Sequence, residues 1–300
     1  MERELINRLC RASREKTFEP DDDVAWKTPA PDRLVVPART LSIAGLPEFA
    51  ALDSIRRSEL SRHEVASVFS VSIRFEDTLI RNLARYIQSA DPLAVELPYF
   101  LHVIEEEARH NRMFIRLIEQ LGVGGYGVSG LFGRMQQGIF ALVRSSRCLF
   151  FLAVFAVEEI TDRVFAEWLD GDELDPMVRD VCRIHRTEEA RHRAFTRAML
   201  RERYEAAGLA EKAIMVAAAP FVVSLIFDML VPPSLYQRAA VTTNERASWR
   251  LWWRARASDI RMRLRERCAE AVLTTLKDLG ALKAAVYPLW TAVGLPIGRA

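Results

Sequence analysis

A five-residue word, Glu-Glu-Ala-Arg-His, occurs twice in the chain, at residues 106–110 and at residues 188–192. Each copy contains a Glu-x-x-His pair, Glu107 with His110 and Glu189 with His192. Residues three apart on an α-helix project from the same face. Each pair can therefore present one carboxylate oxygen and one imidazole nitrogen to a common point. Two such helices facing each other make half of a dinuclear metal site.

The other half of such a site needs one inward Glu from each of two further helices. Apolar residues recur every three or four positions around Glu76 and around Glu158, which places both carboxylates on apolar helix faces. His185 lies one turn before Glu189 on the same stripe. The helices that this periodicity predicts span residues 62–89, 92–121, 131–169 and 176–206.

These patterns predict an all-α fold, with a ferritin-like four-helix bundle as its core and additional helices at the N- and C-terminal ends. We expect three regions: an N-terminal wrap over residues 1–60, the dimetal bundle over 61–210, and a helical extension over 211–300 that packs on the bundle. Prolines at 20, 29, 31, 37 and 47 indicate that the wrap is extended, with at most short helices. The glycine-rich residues 122–130 match a nucleotide-binding G-x-G-x-x-G, but they follow a helix and not a strand, so we interpret them as a connection.

The C-terminal third contains two segments that could contact a membrane. Residues 213–231 are strongly apolar, but they include Pro220 and Asp228, and we expect a buried or capping helix. Residues 246–267 carry many arginines and predict an amphipathic helix packed on the bundle, with a cationic outer face. Its predicted apolar stripe is Trp249, Trp253, Ile260, Leu264 and Cys268.

The composition excludes some partners. The chain has 42 Lys and Arg against 40 Asp and Glu, so no overall field indicates nucleic acid. The four cysteines are scattered without a C-x-x-C, which is typical of a reduced cytosolic protein. The charged N-terminus lacks the apolar run of a signal peptide. We therefore predict a cytoplasmic protein without nucleic-acid or membrane contacts, and a homodimer is compatible with the pattern.

Oxygen and nitrogen donors without thiolate suit iron or manganese. We predict two iron ions in preference to manganese, with O2 as co-substrate, because adjacent ferrous ions can reduce O2 and four carboxylates balance two divalent charges. No flavin or iron-sulfur motif is present, so electrons would come from an external ferredoxin-type donor or a small reductant. The predicted metal ligands are Glu76, Glu107, His110, Glu158, His185, Glu189 and His192, and the predicted surrounding residues are Asp162, Arg109 and Arg191.

The order Glu, Glu-x-x-His, Glu, His-x-x-x-Glu-x-x-His, over about residues 60–210, resembles the p-aminobenzoate N-oxygenase (AurF) family of diiron oxygenases. The resemblance implies that the seven residues are iron ligands, with His185 as the histidine that marks this family. It also implies a peroxo-diiron intermediate that transfers oxygen to a small amine substrate, taking arylamines through hydroxylamines towards nitro products.

Three alternatives remain open from the sequence. The same site could hydroxylate or desaturate an acyl or alkyl chain. The protein could instead be a ferritin-like iron-binding protein. Finally, the bundle could be purely structural, with buried Glu–Arg pairs that use Arg109 and Arg191. This last alternative does not explain why the histidines accompany the carboxylates.

Overall fold

The computed structural model describes residues 3–127, 134, 137, 138, 143, 146–295 and 297. All regular elements in these ranges are helical. Four helices are long: α4 (Ser54–Ser89), α5 (Leu97–Leu121), α6 (Arg147–Leu169) and α7 (Pro176–Ala206). Before them lie α1 (Arg3–Glu15), α2 (Pro20–Asp23), a 3-10 turn (Ala38–Thr40) and α3 (Pro47–Ala50). After them lie α8 (Leu209–Leu230), α9 (Ser234–Arg238), α10 (Glu245–Arg256), α11 (Asp259–Asp278), a 3-10 turn (Ala284–Val286) and α12 (Tyr287–Ala292).

The four long helices form the bundle that the sequence predicted. Helix α4 packs on α5, α6 packs on α7, and the two pairs meet through α5 with α7 and through α4 with α6. Aromatic rings join the pairs: Phe69 stacks 5.1 Å from Phe165 and lies 4.8 Å from Phe114, measured between ring centroids. The predicted all-α, ferritin-like fold with additional helices at both ends is confirmed.

Local sequence signals set the ends of the long helices. The side chains of Asp53, Ser146 and Asp175 accept hydrogen bonds from backbone N–H groups in the first turns of α4, α6 and α7. Helix α5 ends at Gly122, whose φ of 73° is the left-handed conformation that glycine adopts without strain.

Two predicted helix starts were wrong. Helix α4 begins at Ser54, eight residues before the predicted start, because Asp53 caps it there. Helix α5 begins at Leu97, since Asp91 instead forms a turn in which its carboxylate accepts a hydrogen bond from the N–H of Leu93. The predicted start of the third helix at residue 131 falls mostly outside the described residues.

The N-terminal region contains more helix than the prolines suggested. They all lie after residue 19, so nothing prevents residues 3–15 from forming α1, which packs on α5 and α7. The proline-containing stretch then crosses the bundle in short turns. It is fixed by Glu64 of α4, whose buried carboxylate accepts hydrogen bonds from the N–H and hydroxyl of Ser42. The three-region division of the chain stays a prediction.

Helix α8 covers one side of the bundle, where it packs on α6 and α4. The segment Leu209–Arg238 is long and apolar enough to cross a membrane by length and composition, but 72% of its apolar window is buried inside the protein. Its single buried acid, Asp228, is held by the guanidinium groups of Arg256 and Arg265. We call Ser224, Asp228, Arg256 and Arg265 the arginine clamp.

The predicted apolar stripe of the arginine-rich segment was wrong at Trp253 and Ile260, whereas Leu264 and Cys268 are buried as predicted. The segment forms two helices, because Ser258 caps a new helix, α11, two residues after α10 ends at Arg256. A single helical phase therefore cannot run through both. Trp253 is 56% exposed and Ile260 is 37% exposed, whereas Trp252 is buried and donates its indole N–H to the carbonyl of Val231.

Candidate metal centre

The bundle brings the seven predicted ligands into its interior. We call them the ligand cluster, and none is more than 8% exposed: Glu76 from α4, Glu107 and His110 from α5, Glu158 from α6, and His185, Glu189 and His192 from α7. Each of these residues lies on the apolar face of its helix, and that face packs towards the interior of the bundle.

Within the cluster, the donor atoms form two groups whose members lie within 4.8 Å of one another. The first group contains Glu76, His110, His185 and Glu189, and the second contains Glu107, Glu189 and His192. Glu189 belongs to both groups, so its carboxylate could contribute to holding either of two ions. The two repeats thus face each other across the bundle.

Glu158 lies beside these groups but belongs to neither. Its Oε2 accepts a hydrogen bond of 2.7 Å from the hydroxyl of Thr196, and its Oε1 has no hydrogen-bond partner in the described part of the chain. Burial raises the pKa of the Glu158 carboxyl well above the usual value, and the charge of Glu189 raises it further. The Glu158 carboxyl is therefore close enough to Glu189 for the charge of Glu189 to shift its pKa.

The remaining residues of the two words brace the histidines from the opposite repeat. Glu106 Oε2 lies 2.7 Å from His192 Nε2, and Arg191 donates to Glu106 Oε1 at 2.7 Å. Glu188 Oε2 lies 2.8 Å from His110 Nε2. Arg109 donates to Glu188 Oε1 at 3.2 Å. We call Glu106, Arg109, Glu188 and Arg191 the cross-brace.

The cross-brace fixes which imidazole nitrogen faces the centre. With Nε2 held by a carboxylate, Nδ1 of His110 lies 2.9 Å from Glu107 Oε2 and Nδ1 of His192 lies 3.1 Å from Glu189 Oε1. Carboxylates that hold the far nitrogen of a ligating histidine orient its ring and strengthen it as a donor. Nδ1 is therefore the atom of His110 and His192 that could bind a metal.

Two of the cross-brace residues were missed in the sequence. The periodicity of α5 places Glu106 towards a flank, but it is only 2% exposed, and Glu188 is 1% exposed. Arg109 and Arg191 were predicted to surround the ligands, and they do so by pairing with these two acids. Asp162 pairs instead with Arg186 at 2.8 Å and Arg193 at 3.0 Å.

Metal ions fit the ligand cluster because Glu76 and Glu158 lie beside other acids, and the described residues give neither an arginine partner. Burial raises the pKa of the Glu76 carboxyl well above its usual value, and the adjacent Glu107 and Glu189 raise it further. Glu189 Oε2 is buried and has no hydrogen-bond partner in the described ranges. Buried carboxylate oxygens in this state are stabilised by a cation.

Nearby carboxylates raise the pKa of two of the three histidines in the cluster. Burial opposes protonation of His110, but hydrogen bonds to Glu107 and Glu188 outweigh it and raise its pKa to about 10. His192, although also buried, has its pKa raised well above the usual value by Glu189 and Glu107. Burial and the charge of His110 instead hold the pKa of His185 well below the usual value. Metal binding would therefore release protons from His110 and His192.

The family model of the p-aminobenzoate N-oxygenase AurF matches residues 1–280 of the 300. The chain belongs to the AurF family. Its centre is therefore that of a diiron-type oxygenase or oxidase, and the ligand cluster is the part of the fold that fits a dimetal cofactor. The family model also extends over the N-terminal wrap and most of the C-terminal helices, well beyond residues 60–210.

Individual relatives are more distant. The chain is 27% identical to Uncharacterized protein MT0908 of Mycobacterium tuberculosis over 241 residues, covering 78% of the chain and 71% of that protein. It is 29% identical to Uncharacterized protein Mb0909 of Mycobacterium bovis over 207 residues, or 67% of the chain and 61% of that protein. The chain thus spans less than two thirds of the length of the second relative.

Among solved structures, the chain is similar to an R2-like ligand-binding oxidase with an aerobically reconstituted Mn/Fe cofactor. The sequence identity is 14%, the TM-score is 0.49, and the match covers 88% of this chain and 94% of the oxidase.

A cavity in this AurF-family member leads to the ligand cluster from the side of α8. Its walls include Val222, Leu225, Ile226 and Met229 of α8 with Phe150, Val154 and Val157 of α6. Only Thr78 and two acids interrupt the apolar lining described, and the acids are Glu76 and Glu158. A small molecule in this cavity would lie against two residues of the ligand cluster.

Proposed function

We propose that the seven residues of the ligand cluster hold two iron ions, and that the protein N-oxygenates an arylamine bound in the apolar cavity. Membership in the AurF family supports the reaction type. The observation that carries the proposal is the cavity itself, because two of its lining residues, Glu76 and Glu158, belong to the ligand cluster.

The bound metals would reduce O2, and the protein would position the substrate and exclude water. In the first oxygenation, one oxygen atom of O2 enters an N–H bond to give a hydroxylamine. The other oxygen atom leaves as water, with two electrons and two protons from an external donor. Apolar walls of α6 and α8 exclude water from the amine, and the cross-brace keeps the histidine rings oriented.

The experiment that tests this function is turnover with iron and O2. Protein reconstituted with Fe²⁺ and a chemical reductant is mixed with a series of 4-substituted anilines, and products are identified by mass spectrometry with labelled O2. We expect labelled hydroxylamine and nitro products that require iron. Glu189→Ala, which removes a donor common to both groups, is the control and should abolish them. Absence of labelled products from every aniline, with iron bound, would contradict the proposal.

A second candidate has support from the same cavity. Its lining of valine, leucine, isoleucine, methionine and phenylalanine also fits an acyl or alkyl chain, so hydroxylation or desaturation of such a chain is the competing reaction. Fatty acids and alkylamines in the same assay separate the two reactions. Products oxidised at carbon and none oxidised at nitrogen would favour the second candidate.

A further inference from the structure

A second cavity lies at the start of α6, on the far side of Phe150 from the ligand cluster. Its walls include Leu83, Tyr86, Phe100, Phe150, Arg147 and Arg203. Phe150 lines both cavities, so the two cavities adjoin at this residue. The second cavity differs from the first by having two guanidinium groups.

One face of α6 runs along both cavities. Arg147, Phe150, Val154 and Val157 follow one another at intervals of three or four residues, which keeps them on one side of a helix. The face leads from the guanidinium of Arg147 to the carboxylate of Glu158. The cavities are thus consecutive along a single helix.

Helices α6 and α7 give the same distance from the two arginines to the ligand cluster. Arg147 precedes Glu158 by eleven residues on α6, and Arg203 follows His192 by eleven residues on α7. At 1.5 Å per residue, each interval is about 16 Å. Two cations on neighbouring helices therefore lie at about the same distance from the ligand cluster, at one end of the cavity pair.

These cations have no carboxylate partner. Neither Arg147 nor Arg203 has a carboxylate within ion-pair distance over the ranges that the structure describes, and Nε of Arg203 is buried without an acceptor there. Arg203 interacts instead with the hydroxyl of Tyr86, and Glu96 and Glu211 are engaged elsewhere. Glu96 accepts the hydroxyl proton of Tyr86 at 2.6 Å, and Glu211 accepts that of Ser146 at 2.8 Å.

We propose that the two cavities form one elongated binding site for an amphipathic anion. A carboxylate or similar acid binds Arg147 and Arg203, an apolar body passes Phe150 along α6, and the opposite end lies against Glu76 and Glu158. Guanidinium groups suit this role because they donate two parallel hydrogen bonds to a carboxylate. That the far end carries the reacting amine rests on the proposed function. p-Aminobenzoate itself is too short to span both cavities.

Binding of ligands that lack an amine tests the site independently of turnover. Isothermal titration calorimetry on the iron-loaded protein compares benzoate, phenylhexanoate and phenyldecanoate with the corresponding primary amides. We expect affinity for the acids to rise with chain length. The longest acid should bind about tenfold or more tightly than its amide, as expected for a charged hydrogen-bonded pair.

Variants of the two arginines test where the carboxylate of the ligand binds. Arg147→Met and Arg203→Met should each weaken binding of phenyldecanoate about tenfold and leave its amide unchanged. Arg201→Met, an exposed arginine two residues earlier on α7, is the matched control and should bind both ligands like the wild type. Because Arg147 is exposed, its substitution does not endanger the fold, and Arg147→Glu provides a second, stronger test.

The outcomes separate this inference from the proposed function. Equal affinity for acid and amide, or equal effects of Arg201→Met and the two test variants, would overturn the elongated anion site. Arginine-dependent binding of phenyldecanoate, in a protein that leaves every aniline unoxidised, would support the site and remove only the proposed reaction.

Discussion

The ligand cluster and the arginine clamp both bury charged side chains between helices, but they satisfy them in opposite ways. In the clamp, Asp228 Oδ1 lies 2.6 Å from Arg265 Nη1 and 3.1 Å from Arg256 Nε. Arg265 also donates to the hydroxyl of Ser224 at 2.9 Å and to the carbonyl of Val293 at 2.8 Å. Each polar group of the clamp thus has a partner within the protein.

The ligand cluster places carboxylates next to one another. The charges of Glu107 and Glu189 raise the pKa of the Glu76 carboxyl, and one oxygen each of Glu158 and Glu189 has no hydrogen-bond partner in the described structure. Both arginines near the cluster pair with Glu106 and Glu188, and neither pairs with the ligands. Burial of an acidic side chain therefore does not by itself indicate a functional site. What distinguishes the metal centre is repulsion between acids whose nearest arginines are already engaged.

The largest expected effect is on the clamp. Asp228→Ala leaves two guanidinium groups without their acid and should lower the free energy of unfolding by about 3–5 kcal/mol, as for other broken buried pairs. Iron bound per folded chain should not change. Urea unfolding and metal analysis measure both. Asp170→Ala, which removes an exposed partner of Arg39, is the matched control with an expected loss below about 1 kcal/mol. Equal losses would contradict the distinction.

Glu64 is a third buried acid, and it should make the stability of the protein depend on pH. Burial raises the pKa of Glu64 to about 7, against the hydrogen bonds from Ser42 and the charge of Arg261. Between its usual pKa and this value the folded protein holds the extra proton. The stability that this group contributes is therefore present at low pH and lost as pH rises towards 7, by up to about 3 kcal/mol. Unfolding curves across this range should show a smaller decline for Glu64→Gln, and an unchanged decline would refute the assignment.

Next in size is the effect of the cross-brace on metal affinity. Glu106→Ala and Glu188→Ala free Nε2 of a histidine whose Nδ1 faces the centre, and should each weaken iron binding about 10–100-fold. The neighbouring Glu105→Ala is the control, because that side chain is 67% exposed and contacts only the outer side of Arg109. Competition with a chelator measures the affinities. If Glu105→Ala weakened binding as much as Glu106→Ala, the cross-brace would have no specific role.

The smallest expected effect has the opposite sign to that of the clamp. Glu76→Gln removes one of the mutually repelling acids without changing shape, so the metal-free protein should gain about 1 kcal/mol or stay unchanged at pH 8. The same variant should bind less iron. Thermal unfolding of metal-free samples makes the measurement. A loss of stability as large as that of Asp228→Ala would mean that Glu76 is a structural partner like the clamp acid.

Periodicity within single helices was enough to predict the bundle and to bring the ligand residues to one interior. It worked because inward position depends on the apolar stripe of each helix alone. Glu106 and Glu188 could not be found in this way, since each is buried by a histidine and an arginine from the opposite repeat. Their signal was the word itself, in which both copies place the same acid and arginine around the pair.

Contacts between distant segments explain the other differences. The stripe through Trp249 and Trp253 was wrong because Trp252 is the buried ring of α10, where it donates its indole N–H to the carbonyl of Val231. The cavity beside Glu76 and Glu158 depends on how α8 lies against α4 and α6, which no local pattern encodes. The assignment of the seven residues as ligands stays a prediction.

The seven-residue ligand cluster predicts a centre for two metal ions, in which Glu189 is the donor common to both groups. The direct test is metal analysis combined with X-ray absorption at the iron edge on the reconstituted protein. We expect two irons per chain, oxygen and nitrogen neighbours only, and an iron–iron distance of about 3.5–4 Å. A single iron per chain without an iron neighbour, or sulfur in the coordination shell, would contradict the account.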